Sequence, residues 1–427
     1  MFRRRVTLVA TVLACLHAVV THAGRGDMDP GFAGGAGRLI APTVTLADGR
    51  FLTLQGNFAE GIQLTLRDAG GIAIPSWGVL GSVKVPAGLN IDFRSRAVQT
   101  VDQGMLLAGS RPRAGGGNPG SDFAVVKLTA AGQLDMAFGA GGVLTRPATA
   151  FPAGYTNACG EFAQGIAIQP DGRILVAVAR YYACYDSSTQ LRVRRFDATG
   201  RNEIPFATES GALAADQVAV SYINENLLRL LDDGRICVFL AACFTAEGGA
   251  SSLFSGNPFV PPGIIGWFCI AVLPGGDAIL ASTEPEFPLR IWRVHRDGSL
   301  DTGFGSNGVF AIQGSAHTPT SNSLVVGASA SVDGGALYLE VYVHGGLSLV
   351  RVLLPVGRSV ALDSAFGDQG AAWMGDGQNW SLINDLVEQA DGGLLVATDE
   401  GIFRLQGTSA QAPGVIVFAP VSPLPSV

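Results

Sequence analysis

An all-β fold built from repeated four-stranded antiparallel sheets is what this sequence predicts, and three observations carry the prediction. Glycine is abundant at 58 of 427 residues, well above the usual ~7%, which asks for many turns. Charged residues make up only 15% against 48% hydrophobic, so the chain has the apolar content for a packed interior and is not of the disordered type. Finally, a short aromatic knot and a short hairpin turn alternate along the chain, seven of each. Short strands punctuated so regularly by turns read as all-β.

The chain opens with a charged, apolar and small-residue succession: Arg3, Arg4 and Arg5, an apolar run over residues 6–20, then Thr21, His22 and Ala23. That order reads as a secretory signal peptide over residues 1–23, because the apolar run is shorter than the ~20 residues a spanning helix needs. Residues 12–15, ending in Cys15, also resemble a lipoprotein cleavage box, with a leucine where that box is atypical, so anchoring at Cys15 is a minor alternative to free export. Loss of Arg3, Arg4 and Arg5 leaves 25 cations against 35 acids. With only Lys84 and Lys127 as lysines and no basic run, nucleic acid and anionic membranes are poor partners.

The repeat occupies residues 24–407. Its clearest knot runs Leu300-Asp301-Thr302-Gly303-Phe304-Gly305, followed by Gly308. The knot aromatic recurs as Phe32, Trp77, Phe138, Phe206, Phe259, Phe304 and Phe366. Between and after these stand the turns Asp48-Gly49, Asp102-Gln103-Gly104, Asp171-Gly172, Asp233-Gly234, Gly275-Gly276, Asp333-Gly334 and Asp391-Gly392. Each unit therefore holds a hairpin, a third strand, a knot and a fourth strand. Seven such units predict a seven-bladed β-propeller. A β-solenoid is the rival, but its coils are usually shorter and lack a hairpin in each unit.

The ends complement each other. The last repeat stops at a third strand, residues 402–405, and the first begins with a knot that no third strand precedes. Residues 28–40 should complete the last blade and remove two exposed edges. A cation recurs near the end of the third strand, as Arg67, Lys127, Arg195, Arg293, Arg351 and Arg404, and Asp135, Glu203, Asp301 and Asp363 open following knots. Local ion pairs are expected there, with Arg404–Asp29 forming only on closure; a ring of cations lining a pore is the functional alternative. Residues 408–427, with Pro413, Pro420, Pro423 and Pro425, read as a Pro-rich tail with one candidate strand at 415–418.

Cysteine in an exported chain points first to disulfides. A two-residue hairpin at Asp171-Gly172 would set Cys159 opposite Cys184, predicting that bond. Cys237 stands where a matching strand has apolar Leu175 and is read as a buried thiol, which leaves Cys243 to pair with Cys269.

The knot Leu-Asp-x-x-Phe-Gly-x-x-Gly-Val and the hairpin Gln169-Pro170-Asp171-Gly172-Arg173-Ile174-Leu175-Val176-Ala177 together resemble the delta-60 repeat, a bacterial β-propeller repeat found mainly in exported proteins. The likeness covers roughly residues 28–407 and is sharpest around Phe138, Phe304 and Phe366. It implies a propeller fold and export, and it carries no catalytic motif to transfer.

Chemistry is hard to find. The sequence holds no Gly-x-Ser-x-Gly elbow, His-Glu-x-x-His or phosphate loop. Beyond the leader only His295, His317 and His344 remain, in separate units, so no metal, cofactor or catalytic residue is assigned. Residues 331–338 resemble the Asp-box of sialidases, a rim turn that is not itself catalytic; an ordinary hairpin turn is the simpler reading. Tyr155, Tyr181, Tyr182 and Tyr185 cluster in the longest unit and suit a carbohydrate or protein ligand, or they pack over the blade edge. Trp373, Asp376, Asn379 and Trp380 mark another irregular loop. The sequence thus reads as a monomeric, non-catalytic binding scaffold. The alternative is a glycan-active hydrolase or lyase with its site in the central channel.

Overall fold

The structure is a computed structural model that describes residues 28–406 except 58, 92–96, 113–119, 148–159, 182–188, 207–212, 215–227, 239–241, 252–253, 255–258, 260, 262–266, 274, 283–288, 313–323, 332–333, 344–345, 355–359, 377–382, 390 and 399–400. The described chain is all-β. Its one helical segment among these residues is the four-residue turn Phe32–Gly35, whose Ala33 and Gly34 are not helical. The seven sequence units fall into six hydrogen-bonded sheets, nearly all antiparallel. Four of these have four strands each, and a fifth, of the sixth unit, has five. The ten-stranded sheet contains units two and three, joined by one parallel pairing of Gly160 with Ser121.

The fifth unit shows the plan. Trp267–Val272, Ala278–Ser282, Leu289–Val294 and Val309–Ile312 lie side by side in chain order. Hairpin turn and knot therefore sit at the same end of each sheet. In the seventh unit, Ile383–Glu388, Leu394–Thr398 and Gly401–Leu405 are followed across the sheet by Arg38–Leu39, from the other end of the chain. Arg38 pairs with Phe403 and Leu39 with Ile402, and the Asp29 N–H donates to the Arg404 carbonyl at 2.8 Å.

The hairpin turns correct the sequence reading. Six of the seven are three-residue loops, including the one read as two-residue at Asp171-Gly172: Gln169 N–H bonds the Arg173 carbonyl and Gly172 N–H the Gln169 carbonyl. The same pair of bonds recurs at Leu46/Arg50, Thr100/Gly104, Leu231/Arg235, Leu273/Asp277 and Gln389/Gly393. The third loop residue must take a left-handed conformation, which explains Gly49, Gly172, Gly234 and Gly392, and makes Gln103 a departure with φ 62°. The turn aspartate earns its place by accepting a backbone N–H two residues on, as Asp171 does from Arg173 at 3.0 Å.

One more loop residue shifts every pair. Ile168 faces Ile174 rather than Leu175, and a bulge between Ala163 and Gly165 moves the register again, so that Gly160 faces Tyr181. The register that set Cys159 against Cys184 is therefore not the one present. Both cysteines lie outside the described residues.

The knot works between units. A Cβ on Gly200 would stand 2.6 Å from the Phe138 ring, and one on Gly132 the same distance from Trp77. At three knots the residue after the aromatic also bonds across, Ala33 N–H to the Gly70 carbonyl, Gly78 N–H to that of Ala131 and Gly139 N–H to that of Thr199, each at 2.7 Å. Each aromatic is thus a staple onto the next unit. Among the described residues the buried apolar side chains form seven clusters, six of them shared by consecutive units and one by the last and the first. One of them sets Val387, Leu395 and Ile402 of the last unit against Phe32 and Phe51 of the first.

The expected pairing of Cys243 with Cys269 is corrected. Cys243 is bonded to Cys237, not to Cys269, with Cα atoms 4.0 Å apart. Strands Ile236–Val238 and Ala242–Phe244 are antiparallel neighbours, and the two cysteines face each other directly. Cys237 is fully buried, but as half of a disulfide and not as a thiol. The Cys269 backbone lies in the next unit, paired with Leu280.

Candidate ligand recess at the turn ends

At the turn end of each sheet the repeated charges meet. Lys127 lies 2.8 Å from Asp102 of its hairpin turn and 2.9 Å from Asp135 of its knot. Arg351 and Asp363 pair directly, both buried. The Arg351 Nε also donates to the Tyr338 hydroxyl at 3.0 Å, and that hydroxyl donates to Glu388 of the next unit. Burial pushes the Tyr338 hydroxyl up to about 12, with Arg351 opposing and Glu388 adding. Arg404 Nη1 is 2.5 Å from Asp29 Oδ2, and Nη2 contacts Asp391. Arg293 lies 3.7 Å from Asp301.

Two cations depart from the expected pairing. Glu203 is held by Arg194, with Nε and Nη2 each at 2.7 Å, rather than by Arg195. Adjacent strand residues point to opposite faces, and Arg195 turns instead to Glu247 of the next unit at 3.1 Å and to the Pro205 carbonyl. Arg67 meets Thr53 and the Gly71 carbonyl. Their place on third strands, two strands in from the first, sets these cations apart from the residues that end the first strands.

Between the turns of units four, five and six lies a recess of about 350 Å³. Its lining includes Leu230, Val272 and Ala330, the final residues of strands Leu228–Leu230, Trp267–Val272 and Leu324–Ala330, with Leu231, Leu273 and Ser331 beside them. Asp233, Arg235 and Arg296 supply its polar wall. Arg235 Nε is 2.6 Å from Asp233 Oδ2, and Arg296 reaches the same oxygen from the following unit. Burial raises the Asp233 carboxyl, but the Arg235 backbone N–H and the two guanidiniums outweigh it and hold the group below the ordinary carboxylate range.

The fifth unit lines this recess with two departures from the repeat. Gly275 stands where the neighbouring turns carry Asp171, Asp233 and Asp391, and it is in a left-handed conformation at φ 96°. Its acid has moved two places on, to Asp277, whose Oδ2 takes Arg293 at 2.7 Å. Arg296 stands where units one to four carry Ala69, Ala130, Ala198 and Ala246. Both departures were visible in the sequence as breaks in the repeat, but nothing there put them beside each other.

Of the residues singled out from sequence, Asp29 and Arg404 are brought together. Tyr155, Tyr182 and Tyr185 lie outside the described residues, as do Cys159, Cys184, Asn379, Trp380, the leader with Cys15, and the tail. Tyr181 ends strand Ile174–Tyr181, its backbone paired with Gly160 and Thr189. His295 faces Asp277 at 3.4 Å. Among the described residues no group of three or more His, Cys, Asp or Glu is placed to hold a metal ion, and no helix is long and apolar enough to cross a membrane.

Residues 169–201 match a family model described as "Domain of unknown function (DUF5122) beta-propeller", which supports a bacterial β-propeller repeat. No curated protein matches the chain. Among solved structures, the BT4673 extracellular domain from B. thetaiotaomicron is similar at 10% identity and a TM-score of 0.42, covering 91% of this chain and 41% of that one. The periplasmic gluconolactonase PpgL of Pseudomonas aeruginosa is similar at 11% identity and a TM-score of 0.40, covering 86% and 88%. A prolyl endopeptidase gives 12% and 0.43, covering 88% and 48%. The chain thus spans less than half of the first and third of these. At such identities and scores the neighbours assign neither activity nor ligand.

Proposed function

We propose that the chain is an exported, monomeric, seven-bladed β-propeller of the delta-60 type, closed by its N-terminal segment and serving as a non-catalytic binding scaffold. One observation carries the scaffold reading: five of the six recurring third-strand cations are engaged in ion pairs, as in Lys127–Asp135 and Arg351–Asp363. Groups spent that way hold units together and are not free to move protons. The pairing of Arg38–Leu39 with Gly401–Leu405 and the apolar cluster shared by the last and first units support closure. In such a ring the first strands face the axis, and the recess opens at the turn-side mouth of the channel. The Cys237–Cys243 bond is compatible with export.

Closure is tested by oxidising a Leu39→Cys/Ile402→Cys variant. A monomer carrying that cross-link is expected, and a link found only between molecules would overturn the closed ring. The scaffold reading is tested on a glycan array and a panel of glycosidase and lyase substrates. Binding without turnover is expected, and turnover of any substrate by the purified chain would favour the glycan-active alternative.

A further inference from the structure

We infer that residues 407–427 return to the turn end of units one and two and seat their run 415–418 on an apolar surface made by Ile72, Val79, Leu80, Val101 and Met136. This goes beyond the scaffold reading and needs only the contact of the last unit with the first. Among the described residues the exposed large hydrophobic side chains are these five and Ile40. Ile40 lies apart, beside Gly401, where strand Gly401–Leu405 begins away from the turns. The five stand in knots and turns at one end of two neighbouring units. Gly78 N–H bonds the Ala131 carbonyl between those units, and Lys127 ties Asp102 to Asp135, the chain neighbours of Val101 and Met136.

Val79 and Leu80 depart furthest from the repeat. Other knots hold Ala140 and Gly141, Ser306 and Asn307, or Asp368 and Gln369 at these two places. The second place is left-handed, with φ 52° at Leu80 and 54° at Asn307, a conformation that suits glycine and asparagine and strains a leucine. Leu80 is also 86% exposed, so it gains little from its own sheet in return. Charge is scarce around it. Residues 69–83 carry none, and residues 128–145 carry only Asp135, which Lys127 takes. An exposed apolar sector of this kind marks a contact surface.

The chain itself holds an occupant of matching chemistry. Residues 407–427 have no charged side chain and carry Val415, Ile416, Val417 and Phe418 between Pro413 and Pro420. Left in water, such a run is prone to aggregate. It follows strand Gly401–Leu405, which ends at the turn end of unit seven. That unit touches unit one there, the Gln389 Nε2 donating to the Ala69 carbonyl at 3.1 Å. The nine residues 407–415 reach up to about 30 Å, against ~10 Å for each step between packed sheets. The tether keeps the run at high effective concentration over this surface. In an extended run Ile416 and Phe418 share one side, which sets both on Val79 and Leu80.

Hydrogen exchange of the full chain, set against a free peptide of residues 407–427, tests this. Amides of residues 415–418 should exchange at least about tenfold more slowly in the chain than in the peptide. Val79→Ser/Leu80→Asn installs the pair that unit five carries as Ser306 and Asn307, so the fold should tolerate it. In that variant residues 415–418 should return to the peptide rate while the strand amides of unit one keep their protection. Phe418→Asp should do the same without altering any sheet. Peptide-rate exchange in the native chain, or protection that survives Val79→Ser/Leu80→Asn, would overturn the assignment. Native-chain dimers or binding to phosphatidylcholine vesicles, lost in the double variant while residues 415–418 exchange freely throughout, would overturn it in favour of a second copy or a lipid surface. None of these results bears on turnover in the substrate panel, so the scaffold reading stands or falls separately.

Discussion

The hairpin turns of the seventh and fifth units are closed by the same two backbone hydrogen bonds, at Gln389/Gly393 and Leu273/Asp277, yet they use their charges in opposite ways. In the seventh, Asp391 and Asp29 converge on Arg404, and the cation is absorbed in joining the two ends of the chain. In the fifth, the turn carries Gly275 in place of the acid, Arg293 finds Asp277, and an additional cation, Arg296, crosses to the neighbouring unit. One turn fastens the structure and the other leaves a recess beside it. Within a repeat, charge that recurs is structural, and charge that breaks the pattern marks where a ligand is to be sought.

The comparison breaks first at the buried pairs. Asp363→Ala leaves Arg351 buried with its main partner gone, and should cost about 3–5 kcal/mol in urea unfolding. The double variant Arg351→Met/Asp363→Leu should regain much of that loss. A loss below ~1 kcal/mol for Asp363→Ala would mean the repeated pairs are not what fastens the units. Gly305→Ala comes next. Gly305 is left-handed at φ 61°, and a Cβ there would stand 2.1 Å from the Val309 carbonyl oxygen; a cost of about 1–3 kcal/mol is expected, read from the thermal midpoint.

Arg404→Ala should cost about 1–2 kcal/mol, because the pair with Asp29 is only partly shielded from solvent. A double-mutant cycle with Asp29→Ala should return a coupling, and a cycle returning zero would remove the pair from the account of closure. Asp102 contributes less and through pH. The hydrogen bond from Lys127, with one from Thr100, holds its carboxyl down to about 2 against partial burial. A depressed carboxyl lends stability above the unfolded value of about 4 and loses it as pH falls to about 2. The stability gap between the native chain and Asp102→Asn should therefore close across that interval, and a gap that persisted at pH 2 would contradict the pairing. Smallest of all should be Arg296→Ala, within about 0.5 kcal/mol, since that half-exposed pair is not one of the repeated fastenings.

Much of this arrangement was legible from residue order. Alternation of Phe138, Phe304 and Phe366 with Asp–Gly turns gives strand order within a unit, because a hairpin followed by a knot leaves few ways to lay four short strands. The Arg404–Asp29 contact could be read from complementary chain ends. Other features could not. Whether an Asp–Gly turn holds two or three residues depends on backbone angles that the same letters allow, and that single residue undid the Cys159–Cys184 register. Cys237 and Cys243 were separated in the sequence reading by analogy with another strand, whereas direct opposition across a short hairpin joins them.

The sequence by itself determined the kind of sheet, the repeat and the residues that repeat, since periodic turns and apolar strands are local properties of the chain. Only the tertiary structure decided that Glu203 is held by Arg194 and not Arg195, that Arg296 crosses to Asp233, and where a recess forms. Gly275 and Arg296 are ordinary residues until packing of units four, five and six sets them around one space, and contacts between units are not written in the order of residues within any one of them.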